Sequence, residues 1–215
     1  MADVFVANQS VPATPSSGNS VIFVDSTAKI LCVKTDDGRV AGYSFNSAVA
    51  SQGAGFATDT YVINSDILIP SFGVQAKTQF MWLISASKSG ASTAQPVYSI
   101  RIGANRTTAD TARLALTGPA QTAIADIGTL CIICTVRNVG AAGVIQGTAF
   151  WSHRGTAANT TTSGTGFAND STGHVEGSGA GFDNQSLGGL YVGLSINGST
   201  ASSWTVTQVQ AEAVW

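Results

Sequence analysis

The chain has 215 residues and a net charge of −2, and only 10% of its positions are charged, against about 25% in ordinary soluble domains. Gly, Ser and Thr fill 72 positions, yet 44% of the residues are hydrophobic, enough for a core and too many for a disordered chain. No segment clusters Lys or Arg, which argues against a nucleic-acid partner, and no apolar run approaches the roughly 18 residues of a membrane helix, so no membrane partner is expected.

Residues 1–20 (MADVFVANQSVPATPSSGNS) carry Pro12 and Pro15 among Ser, Thr, Gly and Asn, with no helical period. They lack a basic stretch followed by an apolar one, so neither a secretory signal nor an anchor is expected. The segment reads as an extended attachment arm that orders on contacts from outside itself, with Val4, Phe5, Val6, Val11, Pro12 and Pro15 as its anchoring residues.

Residues 21–44 read as a small β module: VIFVD, a corner at Ser26-Thr27, KILCVKT, the turn Asp36-Asp37-Gly38, then RVAGYS. An Asp-Gly pair between β-rich runs signals a hairpin, because Gly accepts the positive φ of a tight turn. Three such strands bury too little to stand alone. The small-residue stretch 45–58 reads as a linker.

From residue 59 onward, strands are expected at Tyr61–Ile69, Gln79–Ala86, Val97–Ile102, Arg113–Thr117, Thr129–Arg137, Val144–Ser152, Leu190–Ile196 and Ser203–Val214. Gly, Ser, Thr and Asn loops separate them, as in a β-sandwich or barrel. Alternation gives four inward rows: Phe80, Trp82, Ile84; Tyr98, Ile100, Ile102; Leu130, Ile132, Cys134, Val136; and Leu190, Val192, Leu194, Ile196. Rows of this kind need a facing sheet, so the reading is an all-β antiparallel sandwich over 59–215. Residues 155–189 form a long loop with no sustained period and one short strand near His174–Glu176.

Some strands are apolar on both faces. Met81 and Leu83 lie opposite Phe80, Trp82 and Ile84, and Ile133 lies opposite the Leu130 row. A sheet with one wet face does not normally tolerate this, so Met81, Leu83 and Ile133, together with Trp215, are expected at contacts between identical chains.

Cys131 and Cys134 form a C-x-x-C, but in an alternating strand they point to opposite faces roughly 10 Å apart, beyond the ~7 Å reach of a disulfide. They and Cys32 read as reduced structural thiols of a reducing cytoplasm.

His174, near Glu176, Asp170 and Asp183, lacks metal-ligand spacing, and His153 reads as a structural histidine at a strand end. No G-x-S-x-G elbow or nucleophile pattern occurs, twelve acids offer no legible pair, and GSGAGF (177–182) lacks the context of a phosphate loop. No catalytic residue, cofactor or metal is therefore expected. The Asn-x-Ser/Thr sites read as chance in so Ser/Thr-rich a chain.

Two stretches resemble tailed-bacteriophage virion proteins. VPATPSSGNSVIFVDSTAKILCVKTDDGRVAGYS is similar to the short β module that opens many phage fibre and appendage proteins. PVYSIRIGANRTTADTARLALTGPAQTAIADIGTLCIICTVRNVGAAGVIQGT, with SWTVTQVQAEAVW, resembles the jelly-roll domain that often follows it. The resemblance implies a homotrimer on the virion exterior, made in the host bacterial cytoplasm. Its amino-terminal part would hold the major capsid protein or a tail or connector protein, and its jelly roll would be displayed. The chain has no long shaft between the two parts, which favours a head decoration or head fibre over a long tail fibre. The rival expectation is a receptor-binding, lectin-like domain that recognises host surface polysaccharide by stacking sugars on Phe167 and Phe182.

Overall fold

The computed structural model describes residues 6–48, 51–89, 93–140, 142–155, 175–180, 187–199 and 204–215. The strands are, in chain order, β1 (Asn8–Gln9), β2 (Ser20–Asp25), β3 (Leu31–Thr35), β4 (Val40–Ala48), β5 (Gln52–Gly55), β6 (Thr60–Tyr61) and β7 (Ile67–Leu68). They are followed by β8 (Gln79–Lys88), β9 (Val97–Gly103), β10 (Thr111–Thr117), β11 (Asp126–Asn138), β12 (Val144–Gly155), β13 (Val175–Ala180), β14 (Tyr191–Asn197) and β15 (Trp204–Val214). There is no helix among the described residues.

The protein is an all-β, predominantly antiparallel sandwich. Its large sheet has the order β1-β2-β3-β4-β15-β8-β11-β12-β13, with β5 also on β15; the small sheet runs β10-β9-β14-β6, with β7 also on β14. The chain winds back and forth between the two. All four inward rows face the interface between the sheets: Phe80, Trp82, Ile84, Tyr98, Ile100, Leu130, Ile132, Cys134, Val136, Val192, Leu194 and Ile196 are fully buried, with Ile102 nearly so. Leu190 is the exception, partly buried at the margin of the core. Each large side chain withdrawn from water contributes about 1.5–3 kcal/mol, and this drives the two sheets together.

The β3–β4 hairpin turns where the Asp-Gly pair places it. Gly38 has φ +85°, and its N–H donates to the Thr35 carbonyl at 3.0 Å. Elsewhere long-range pairing overrides the local pattern. Residues 45–48 are not linker but the end of β4, in register with β15 from Ala48↔Val209 to Tyr43↔Val214, and 52–55 form β5. The small module and the sandwich therefore share one continuous sheet. The single strand expected over Tyr61–Ile69 is broken into β6 and β7 by Asn64, which takes φ +60°, a conformation that Asn tolerates better than most residues. In the break, the Ser65 hydroxyl accepts the Leu194 N–H at 3.0 Å, and the Ser65 carbonyl accepts Trp82 Nε1–H at 2.8 Å.

The described part of the arm lies on its own chain. β1 pairs in parallel with β2 (Asn8↔Val24, Gln9↔Asp25), Val11 packs on the Phe23–Cys32–Val40 cluster, and Lys34 Nζ donates to the Pro12 carbonyl at 2.8 Å. The module is fastened to the sandwich by Asp25, fully buried. Its carboxylate accepts the N–H groups of Thr27 and Ala28 at 2.9 and 2.7 Å and both the N–H and hydroxyl of Ser71.

Candidate functional site

The inner face of the large sheet is covered, while among the described residues none lies over its outer face. Because paired residues share a side, the register draws this face as rows crossing the strands. One row runs Phe45 (β4), Glu212 (β15), Met81 (β8), Ile133 (β11) and Thr148 (β12). A second runs Tyr43, Val214, Gln79, Thr135 and Gln146, and a third Ser47, Gln210, Leu83, Cys131 and Phe150. On the module, Ile22, Val33 and Ala41 continue the same side. Phe45 is 72% exposed, Ile22 and Leu31 are each 60%, and Val214 is 50%. Tyr43 and Phe45 stack with ring centroids 6.3 Å apart. Gln79, Met81, Ile133, Glu212 and Val214 line a shallow depression of about 150 Å³.

Of the residues expected at chain-to-chain contacts, Met81, Leu83 and Ile133 lie together on this face, with Leu83 and Ile133 exposed. Trp215 does not. It is 1% exposed within a single chain, edge-on to Phe80 at 5.5 Å and to Phe72 at 6.2 Å, with Nε1–H donated to Ser44 Oγ at 2.8 Å. The wetting that seemed to require another subunit is prevented by the chain itself. Of the arm residues, Val6 is exposed, while Val11, Pro12 and Pro15 are partly buried. Val4, Phe5, Phe167, Phe182 and His174 lie outside the described residues.

Tyr43, Phe45, Val214, Ile22, Leu31 and Phe150 belong to this face and were missed from sequence. The i, i+2 spacing of Tyr43 and Phe45 was the available signal, obscured because the pair straddles the expected boundary between module and linker.

The polar clusters are occupied with holding loops. Arg101 donates Nε–H to Ser195 Oγ at 2.7 Å, reaches the carbonyls of Thr108 and Asp110 at 2.9 and 2.6 Å, and pairs with Asp59. Asp110, buried, accepts the N–H groups of Asn105 and Arg106 at 3.0 and 2.7 Å. Arg106 pairs with Asp66 at 2.8 Å and lies 5.0 Å over the Tyr191 ring, beside an open groove of about 380 Å³ lined by Tyr61, Ile63, Asn64 and Thr107. Burial and the nearby Asp66 and Asp110 carboxylates raise the Tyr61 phenol well above its ordinary value, so it is no proton acceptor at neutral pH. The cation and carboxylate of this groove neutralise each other.

All three cysteines are buried free thiols. Burial pushes Cys134 up to about 12 and Cys32 up to about 11, the latter helped by Asp25, and also raises Cys131. They are thiols, not thiolate nucleophiles, near neutral pH. Among the described residues no group of three or more His, Cys, Asp and Glu is placed to hold a metal ion. No family model matches the chain, and no curated protein matches it.

Proposed function

We propose that this chain is a non-enzymatic structural protein of the exterior of a tailed-bacteriophage particle. In this reading it is a homotrimeric head-decoration or head-fibre protein, held by its amino-terminal part to the major capsid protein or to a tail or connector protein. The observation that carries the reading is the open apolar face of the large sheet. It is built largely of apolar side chains of the kind that bury well against another flat surface. The resemblance of the module and the sandwich to phage appendage proteins supports the same assignment. The mechanism is mechanical: neutral area, buried in several copies, holds the shell or projects the sandwich outward.

The test is the mass of the purified chain by light scattering, together with antibody labelling of intact particles. Three chain masses and labelling of the particle surface are expected. A monomer at every concentration, or particles free of the chain, overturns the reading. Saturable binding on a glycan array that is lost in Phe167→Ala or Phe182→Ala would favour the lectin-like alternative.

A further inference from the structure

We propose that the outer face of the large sheet, from β2 to β12, is one continuous docking surface and that its occupant is a second copy of this chain. The small module and the sandwich would then contribute to the same interface. This deepens the structural reading above and rests on it. That reading leaves the module free to grip a different capsid component, whereas here the module's outer side is committed to self-association.

Three observations select the occupant. The first is continuity. β4 is hydrogen-bonded to β15 and β15 to β8, so Ile22 and Phe45 on the module and Leu83 and Phe150 on the sandwich belong to one sheet with no hinge between them.

The second is area. Eight large apolar side chains on this face, Ile22, Leu31, Tyr43, Phe45, Leu83, Ile133, Phe150 and Val214, are between 37% and 72% exposed. At ~200 Å² per aromatic side chain and ~120 Å² per aliphatic one they present roughly 600 Å² of apolar surface, before the polar residues between them are counted. The largest patch on an ordinary monomer is about 300–600 Å², while one side of a stable protein interface is about 800 Å².

The third is charge. Glu212 is the charged residue in the cross-strand rows, and it already accepts a hydrogen bond from the Gln210 side-chain amide. The chain as a whole carries only −2. Glu212 apart, these rows are neutral, so they offer a strongly charged partner little to pair with.

The experiment compares the full-length chain with Phe45→Asp on the module and Leu83→Asp on the sandwich by sedimentation velocity over a dilution series. Circular dichroism checks that each variant is folded. Phe45 is 72% and Leu83 39% exposed in the single chain, so a carboxylate at either position can reach water until a second copy covers it. The wild-type chain is expected to associate, and each variant should raise the dissociation constant by about 100-fold.

If Leu83→Asp dissociates while Phe45→Asp assembles like wild type, the inference fails and the proposed function survives. Loss of particle attachment by an intact Phe45→Asp oligomer would further assign the module face to another capsid protein. If the wild-type chain never associates, both fall. Should either variant misfold, hydroxyl-radical labelling of the wild-type chain decides. Tyr43, Phe45 and Met81 should all be protected at high concentration and labelled on dilution; protection of Met81 alone overturns the inference.

Discussion

Trp215→Ala tests whether Trp215 is a core residue of the single chain or a contact between chains. The indole is almost fully buried against Phe72 and Phe80 and bonded to Ser44 Oγ, and the Trp215 backbone N–H donates to the Gly42 carbonyl at 3.0 Å. An aromatic of this size buries ~200 Å², which at ~25 cal/mol per Å² is about 5 kcal/mol. Trp→Ala substitutions in cores cost about 3–5 kcal/mol. We expect a loss of about 4 kcal/mol, a large share of the roughly 5–15 kcal/mol that holds a domain folded.

Urea unfolding followed by far-ultraviolet circular dichroism should show the midpoint falling by about 1.5 M, given a slope of about 2–3 kcal/mol per M. Phe45→Ala, at an exposed site, should lose less than about 1 kcal/mol under conditions where the chain is monomeric. A midpoint shift for Trp215→Ala below about 0.5 M, or one that vanishes when the protein is diluted about a hundredfold, would refute the argument and return Trp215 to an intersubunit surface.

Asp25→Ala should destabilise by about 2–4 kcal/mol, because it strands the N–H groups of Thr27, Ala28 and Ser71; proteolysis between module and sandwich would report the loosening. Gly193→Ala should cost about 1–3 kcal/mol, since a Cβ there would lie 1.8 Å from the Tyr61 hydroxyl; Gly193→Ala combined with Tyr61→Phe should recover part of that loss, seen in thermal melts. The native thiols should resist iodoacetamide at pH 8 and all react once unfolded, as read by mass spectrometry. Because folding raises the Cys134 value from 9.0 to about 12 and that of Cys32 to about 11, these thiols support the fold fully below pH 9. That support declines as pH rises toward 12, where the unfolded chain has already released protons that the folded one still holds. A wild-type chain that loses no more stability between about pH 8 and about pH 11 than Cys32→Ala/Cys134→Ala does would contradict this.

The inward rows were legible because each strand announces its own face: Phe80, Trp82 and Ile84 alternate with Met81 and Leu83 whatever lies beside them. The break at Asn64 and the strand at 52–55 were not, because they depend on partners far along the chain. Gln52 is held in place by Ile63, whose N–H it accepts at 2.9 Å and whose carbonyl it meets at 3.0 Å, and β5 exists because β15 pairs with it. Trp215 misled for the same reason, since Ser44, Phe72 and Phe80 are remote in sequence. Half of the open face was visible in the two-sided apolar strands at Met81, Leu83 and Ile133. The other half required knowing that β15 joins β4 to β8, which no local pattern encodes.

That joining strand sets the timetable of folding. The pairing that unites module and sandwich spans 171 residues between Tyr43 and Val214, so a nascent chain leaving the ribosome exposes the edges of β4 and β8 until β15 arrives. Long-range closure of this sort is slow, and bare strand edges recruit neighbours. A chain truncated upstream of β15 is therefore expected to leave the edges of β4 and β8 bare and to aggregate where the intact chain folds.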